Sequence, residues 1–147
     1  MGNFGLKVNR FYEIFVEQNG YVMVLEGLKN TLLIAVIGLV IGIVIGTLIA
    51  AIRTIPQYKV LPRVLNGICS VYVGIFRGTP MVVQLLVFYY VMLPLMGVKM
   101  TGVQVSMIVF GLNSAAYISE IMRSGIMSVD SGQMEAGRAV GLSYGTT

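Results

Sequence analysis

Four polar side chains stand inside largely apolar stretches of this 147-residue sequence. Gln84, Asn113, Ser114 and Glu120 offer amide, hydroxyl and carboxylate groups, which can hold a polar or charged solute by hydrogen bonds and ion pairs. An unpaired polar group in lipid is costly, so we expect these side chains to face protein or a water-filled path rather than acyl chains. They are therefore the candidates for a substrate pathway.

Glu120 also has a second interpretation. Asn113, Ala116 and Glu120 share one face of a helix at the spacing i, i+3 and i+7, which would direct the carboxylate along the same path as the amide. Arg123 follows Glu120 by three residues, however, and the two could pair at the membrane interface without touching a solute. The pairing is favoured, because charges at helix ends usually reach toward the interface.

The chain becomes polar and rich in small residues after residue 126. Asp130 and Gln133 have the spacing of a capping box, which predicts a short helix at about residues 131–140. Gly141 is suited to the left-handed conformation that ends many helices. The small side chains of this helix suit insertion into the groove of a partner, but an ordinary solvated surface helix fits the pattern equally well.

The elements that must position these groups are apolar helices. Hydrophobic residues make up 56% of the chain and charged residues only 11%, about half the charge of a soluble domain. Three runs are long enough to cross a membrane as helices: residues 30–52, 78–98 and 100–122. Thr79 and Pro80 suit the cap and first turn of the second helix. The shorter run at residues 62–76 predicts an interfacial helix or an inward extension of the second span.

The sequence therefore predicts an all-α fold, a polytopic membrane helical bundle. Gly38, Gly42 and Gly46 recur every four residues in the first span, which gives that helix a flat face for close contact with another helix. The partner helix cannot be named from the sequence. An incidental glycine-rich apolar segment is the alternative.

The basic residues predict the orientation. Arg53, Lys59 and Arg63 follow the first span without an intervening acidic residue, which indicates a cytoplasmic loop. Residues 1–27 then lie on the outer side, and residues 127–147 lie in the cytoplasm.

Several kinds of chemistry lack their residues in this sequence. There is no His, the single Cys is Cys69, and no phosphate-binding G-x-x-x-x-G-K-[ST] motif occurs. The ten Lys and Arg are scattered rather than gathered on one face, which disfavours nucleic acid as a partner. We therefore expect no catalytic residue, metal or cofactor, and take the protein not to be an enzyme.

Two stretches resemble the polar amino-acid family of ABC importer permeases. FRGTPMVVQL at residues 76–85 is similar to the FRGTP-x-x-VQL signature of that family. AYISEIMRSGIMSVDSGQ at residues 116–133 resembles the run that leads into the cytoplasmic EAA loop. EAG at residues 135–137, with Gly141 four residues later, is similar to the EAA-x-x-x-G core, from which it departs by a glycine at the third position.

The resemblance implies a partial MetI-like permease fold for a cell inner membrane protein of a prokaryote, and it implies that residues 131–141 form the coupling helix. That helix docks into an ABC ATP-binding subunit, a separate chain that hydrolyses ATP. The other implied partners are an extracytoplasmic solute-binding protein, the lipid membrane and a second permease subunit, identical or related. The coupling residues implied by the resemblance are Asp130, Gly132, Gln133, Glu135, Ala136, Gly137 and Gly141.

In the family, the pattern continues past the coupling loop into further membrane helices, whereas this sequence stops at Thr147. The expectation is a truncated permease with an incomplete docking loop. A non-transporting membrane anchor or assembly protein is the alternative function. A secondary transporter would show inverted repeats, which the sequence lacks. An intramembrane enzyme would need a base beside Cys69, and none is evident.

Overall fold

The computed structural model describes residues 2–55, 58–143 and 145–146, with side chains from Phe4 onward. Met1 and Thr147, the outer limits of the predicted terminal segments, lie outside the described residues. All regular structure in the described ranges is helical. Three of these helices are long and apolar enough to cross a membrane: Gly20–Thr54, Val60–Gly78 and Gly102–Met127. The all-α membrane bundle predicted from the sequence is confirmed.

The chain begins with helix α1, Gly2–Tyr12, which continues into a π-helical turn, Glu13–Glu17. Asn19 adopts a left-handed backbone with φ of 55°, and helix α2, Gly20–Thr54, starts after it. α2 has 35 residues and is about 52 Å long, so it extends well beyond a hydrocarbon core of about 30 Å. The predicted span began ten residues later because the charge of Lys29 limits the apolar run but does not interrupt the helix.

The second predicted span differs most from the structure. Helix α3, Val60–Gly78, has 19 residues, and helix α4 begins only at Met81. Thr79 and Pro80 are extended between them, because proline disfavours helical backbone in the residue before it. The expectation that Thr79 caps α4 is wrong, since its hydroxyl donates to the Ile75 carbonyl at the end of α3.

Helix α4, Met81–Leu95, is apolar but short, and its residues Phe88–Met92 form a π-helical turn. Helix α5, Gly102–Met127, follows and begins with a capping box that the sequence analysis missed. In that box the Thr101 hydroxyl accepts from the Gln104 amide, and the Gln104 side chain accepts from the Thr101 amide. α5 continues past the predicted end at residue 122 because Arg123 pairs within the helix. Helix α6, Ser131–Ala139, ends the ordered helices.

Helices α2 and α5 form the most extensive contact in the described chain. Gly38 lies against Phe110 and Gly111, and Gly46 lies against Ala115 and Ile118, so residue numbers rise together along both helices. The two helices are therefore parallel. Since both run in the same direction, α3 and α4 together must bring the chain back across the membrane between them.

Candidate functional site

The glycine row of α2 meets small residues on α5. Gly38, Gly42 and Gly46 are all buried. A methyl group built on Gly42 would lie 2.7 Å from the Ser114 Cβ, and one on Gly46 would lie 3.0 Å from the backbone oxygen of Ala115. Such close approach is possible only because Gly42 and Gly46 have no side chain. Ser114, a pathway candidate, thus lies at this contact, which we call the glycine seam.

Two other pathway candidates hydrogen-bond to each other beside the α3–α4 break. The Asn113 amide donates to the Gln84 side-chain oxygen at 3.1 Å and to the Phe76 carbonyl at 3.2 Å. The Gln84 amide donates to the Phe76 carbonyl at 2.8 Å, and to the carbonyl and hydroxyl of Thr79 at 3.0 and 2.8 Å. Both side chains are more than nine-tenths buried. They satisfy carbonyls that the end of α3 leaves without helical partners.

Tyr72 strengthens the same joint, and the sequence analysis did not identify it. Its hydroxyl donates to the Leu112 carbonyl at 2.6 Å, and its ring packs on Phe76 with centroids 4.7 Å apart. Val73 of the same helix lies in a small core with Ile49 and Ala116. The i, i+4 spacing of Tyr72 and Phe76 was the available signal. We call the hydrogen bonds of Gln84, Asn113 and Tyr72, which join the end of α3 to α4 and α5, the polar joint.

Glu120, the fourth candidate, is surrounded by arginines from three helices. Its Oε2 lies 2.6 Å from Nη1 of Arg53 on α2 and 3.8 Å from Nη1 of Arg77 on α3. Its Oε1 accepts from Nη2 and Nε of Arg123 at 2.6 and 3.1 Å. The pairing of Glu120 with Arg123 expected from the sequence is present, but it is only one part of a larger arrangement. We call the four residues the arginine cluster.

Helix α6 stands apart from the bundle. Asp130 accepts a hydrogen bond from the Gly132 amide at 2.7 Å, so its capping role is present. Gln133 makes no side-chain bond back to Asp130 within the described residues, so the full capping box is wrong here and occurs at Thr101 instead.

The carboxyl end of α6 closes as a glycine cap. Gly141 has φ of 86°, its amide donates to the Arg138 carbonyl, and the Leu142 amide donates to the Gly137 carbonyl. From residue 131 to 140 every residue is exposed except the partly buried Gly137. Glu135 and Ala136 are therefore on the surface of a short helix with fixed ends. Such a helix can present most of its surface to another protein.

These arrangements hold helices together and offer surfaces rather than reactive groups. Among the described residues no group of three or more His, Cys, Asp or Glu side chains could hold a metal ion. Cys69 is partly buried on α3 against the small core.

The comparison with protein families covers both stretches that resemble the permease family, residues 76–85 and 116–133. The family described as "Binding-protein-dependent transport system inner membrane component" matches residues 38–147. The chain belongs to this family. The match to this inner membrane component family begins at the first glycine of the glycine seam and includes the polar joint, the arginine cluster and α6.

Relatives of this chain include permeases of amino-acid transport systems. An arginine transport system permease protein of Bacillus subtilis is 38% identical over 83% of this chain and 53% of its own length. A putative glutamine transport system permease protein of Rickettsia bellii is 39% identical over 82% of this chain and 53% of its length. An L-cystine transport system permease protein of Bacillus subtilis is 34% identical over 90% of this chain. The chain spans about half the length of these relatives.

A solved structure shares the fold. The crystal structure of an amino acid ABC transporter with histidines aligns with a TM-score of 0.73 and 31% identity. The alignment covers 89% of this chain and 59% of that one. The expected resemblance to amino-acid ABC importer permeases is confirmed.

Proposed function

We propose that the chain is a permease subunit of an amino-acid ABC importer and that α6 is its coupling helix. The observation that carries the proposal is the exposed, doubly capped helix α6 inside the region that matches the inner membrane component family. A short helix with fixed ends and small side chains fits a groove on an ATP-hydrolysing partner. The coupling surface comprises Glu135, Ala136 and Gly137, with Asp130, Gly132, Gln133 and Gly141 shaping the two ends.

Movement of α6 would reach the membrane through α5. Only Ser128, Val129 and Asp130 separate the two helices, and α5 is a continuous helix of 26 residues. The arginine cluster then links α5 to α2 and α3. In this mechanism ATP binding on the partner pulls α6, and the membrane helices change which side of the membrane the solute path faces.

The pathway candidates have distinct roles in this proposal. Gln84 and Asn113 form hydrogen bonds to each other and to the end of α3, which supports a role in positioning these helices beside the path. Ser114 supports helix contact, and Glu120 supports the arginine cluster. The solute arrives with an extracytoplasmic solute-binding protein, and a second permease subunit completes the path.

The orientation is part of the same proposal. The first turns of the chain lie outside, and α6 faces the cytoplasm beside the ATP-binding subunit, because the basic loop after α2 carries no acidic residue.

Glu135→Lys tests the proposal. We expect the variant to insert into the membrane normally but to lose co-purification with its ATP-binding subunit and to lose solute uptake, because the charge of the docking surface is reversed. Glu17→Lys, which makes the same change at an exposed position far along the chain from α6, is the matched control and should keep both properties. Co-purification that survives Glu135→Lys would instead favour an anchor that binds through its apolar helices.

A further inference from the structure

The arginine cluster carries more positive charge than its carboxylate can neutralise. Three guanidinium groups, those of Arg53, Arg77 and Arg123, surround Glu120 as the only acidic partner in the described contacts. The side chains of Arg53 and Glu120 are 13% and 20% exposed, so water screens the excess only partly. Partial burial of this excess positive charge lowers the stability of the fold unless another negative charge lies nearby.

The cluster also has donors without acceptors. Both oxygens of Glu120 already accept hydrogen bonds, from Arg53 and from Arg123. Arg77 approaches at 3.8 Å, beyond hydrogen-bonding distance, and 42% of its side chain is exposed. The Nε of Arg53 is buried and has no hydrogen-bond partner among the described residues. The accessible guanidinium donors are therefore those of Arg77, whereas the buried Nε of Arg53 adds positive charge that the described residues do not compensate.

The location of the cluster narrows the kind of anion. Arg53 is the penultimate residue of α2, so the cluster lies where the first membrane-spanning helix ends. The guanidinium of Arg77 lies over the half-exposed ring of Tyr117, 5.4 Å from its centroid. Tyrosine is common where membrane helices meet water, which agrees with a cluster at the membrane interface. Basic pockets between membrane helices at this depth suit acidic lipid headgroups. The planar fork of arginine matches two phosphate oxygens at once.

We propose that the arginine cluster binds the phosphate of an anionic phospholipid headgroup. Arg77 and Arg123 contact the phosphate, and Arg53 supplies charge from behind while Glu120 holds the three guanidiniums in place. The lipid neutralises part of the excess charge and occupies the open side of Arg77. The site does not depend on transport, so it can be tested separately from the proposed function.

Lipid titration of the purified chain tests the site. The full chain in neutral detergent is titrated with phosphatidylglycerol or phosphatidylcholine, and bound lipid is counted by native mass spectrometry. Both lipids carry a phosphate, but we expect phosphatidylglycerol to bind about tenfold more tightly, because the choline cation of phosphatidylcholine cancels the charge of its phosphate and is repelled by the guanidiniums. Equal binding of the two lipids would overturn the proposal.

Matched variants separate a site from general attraction. Arg77→Gln and Arg63→Gln remove the same charge from the same helix, but Arg63 is exposed and makes no contact with the cluster. Arg77→Gln and Arg123→Gln should lose the roughly tenfold preference, and Arg63→Gln should keep it. Arg77→Lys, which keeps the charge without the fork, should fall between. Equal weakening by Arg63→Gln and Arg77→Gln would show only non-specific attraction and would sink the site.

Competition distinguishes the source of the phosphate. Inorganic phosphate is added to the lipid-bound chain at constant ionic strength. A headgroup site retains its lipid, because the acyl chains add binding energy that free phosphate lacks. Complete displacement by inorganic phosphate at millimolar concentration would contradict a lipid site. Circular dichroism of each variant confirms that the helices remain folded, so that lost binding reports the site.

Discussion

Two faces of α5 contact neighbouring helices through different kinds of interaction. One face meets α2 along the glycine seam, where backbones approach closely and no polar side chain is needed. The other face meets α3 and α4 at the polar joint, where Gln84, Asn113 and Tyr72 bond to backbone oxygens. Lipid provides little hydrophobic drive between helices, so the seam relies on contact along its length and the joint on a few directed bonds.

This difference indicates which parts of the molecule move together. A close-packed seam has no alternative arrangement nearby, because sliding α2 by one residue would bring side chains against backbone. The hydrogen bonds of the polar joint, beside Pro80, can instead be lost or replaced one at a time. We therefore expect α2 and α5 to behave as one unit and the polar joint as another.

The largest effect should come from filling the glycine seam. Gly46→Leu places a side chain where even a methyl group would meet the Ala115 oxygen at 3.0 Å. We expect it to destabilise the chain by about 3 kcal/mol, the upper range for overpacking, measured by thermal unfolding in detergent. Gly74→Leu on α3 is the control: a methyl group there meets nothing within 4 Å, so stability should be unchanged or slightly higher. Equal losses from both substitutions would contradict a specific seam.

A smaller loss should follow removal of the carboxylate that links all three helices. Glu120→Gln keeps the size of the side chain but leaves three guanidiniums without their counter-charge. Partial exposure reduces the cost from that of a fully buried pair, and we expect about 2 kcal/mol by thermal unfolding in neutral detergent. Glu26→Gln, an exposed acid of α2 with no ion pair among the described residues, should change stability by less than about 0.5 kcal/mol. A Glu120→Gln variant as stable as the Glu26 control would deny the cluster any structural role.

The smallest loss of stability should follow removal of a hydrogen bond in the polar joint. Gln84→Leu leaves the Phe76 carbonyl with only the longer Asn113 bond and leaves the Thr79 oxygens without the amide of Gln84. We expect a loss of about 1.5 kcal/mol, together with faster hydrogen exchange at residues 74–84 and unchanged exchange at the glycine seam. Gln133→Leu on the exposed helix α6 is the control. Exchange that accelerates equally in both regions would show that the seam and the joint are not separate units.

The chemical character of each region could be predicted from the sequence, but the helix that each region contacts could not. The four-residue spacing of Gly38, Gly42 and Gly46 indicates a flat face, but nothing in that spacing identifies α5 as the helix opposite. The complementary surface at Gly111 and Ser114 becomes recognisable only when two distant segments lie side by side. The predicted orientation already implies that the first and third spans run in the same direction, but it does not imply that they touch.

The Thr79–Pro80 pair shows why one local signal can support two structures. Proline suits the first turn of a helix, and it also forces the residue before it into an extended conformation. The sequence analysis used the first property and began a helix at residue 78, whereas the structure uses the second to end α3. Arg53 was likewise interpreted only as a basic residue of a cytoplasmic loop, and Arg77 only as part of the FRGTP stretch. Their convergence on Glu120 depends on how three helices cross.

The most direct test of the account concerns the side of the membrane on which α6 lies. Glu135→Cys in a Cys69→Ser background provides one exposed thiol on α6, and Glu17→Cys in the same background provides one before α2. An impermeant maleimide added to intact cells should label Glu17→Cys but not Glu135→Cys, and inverted membrane vesicles should reverse the pattern. Labelling of Glu135→Cys from outside intact cells would contradict the coupling helix and the importer mechanism built on it.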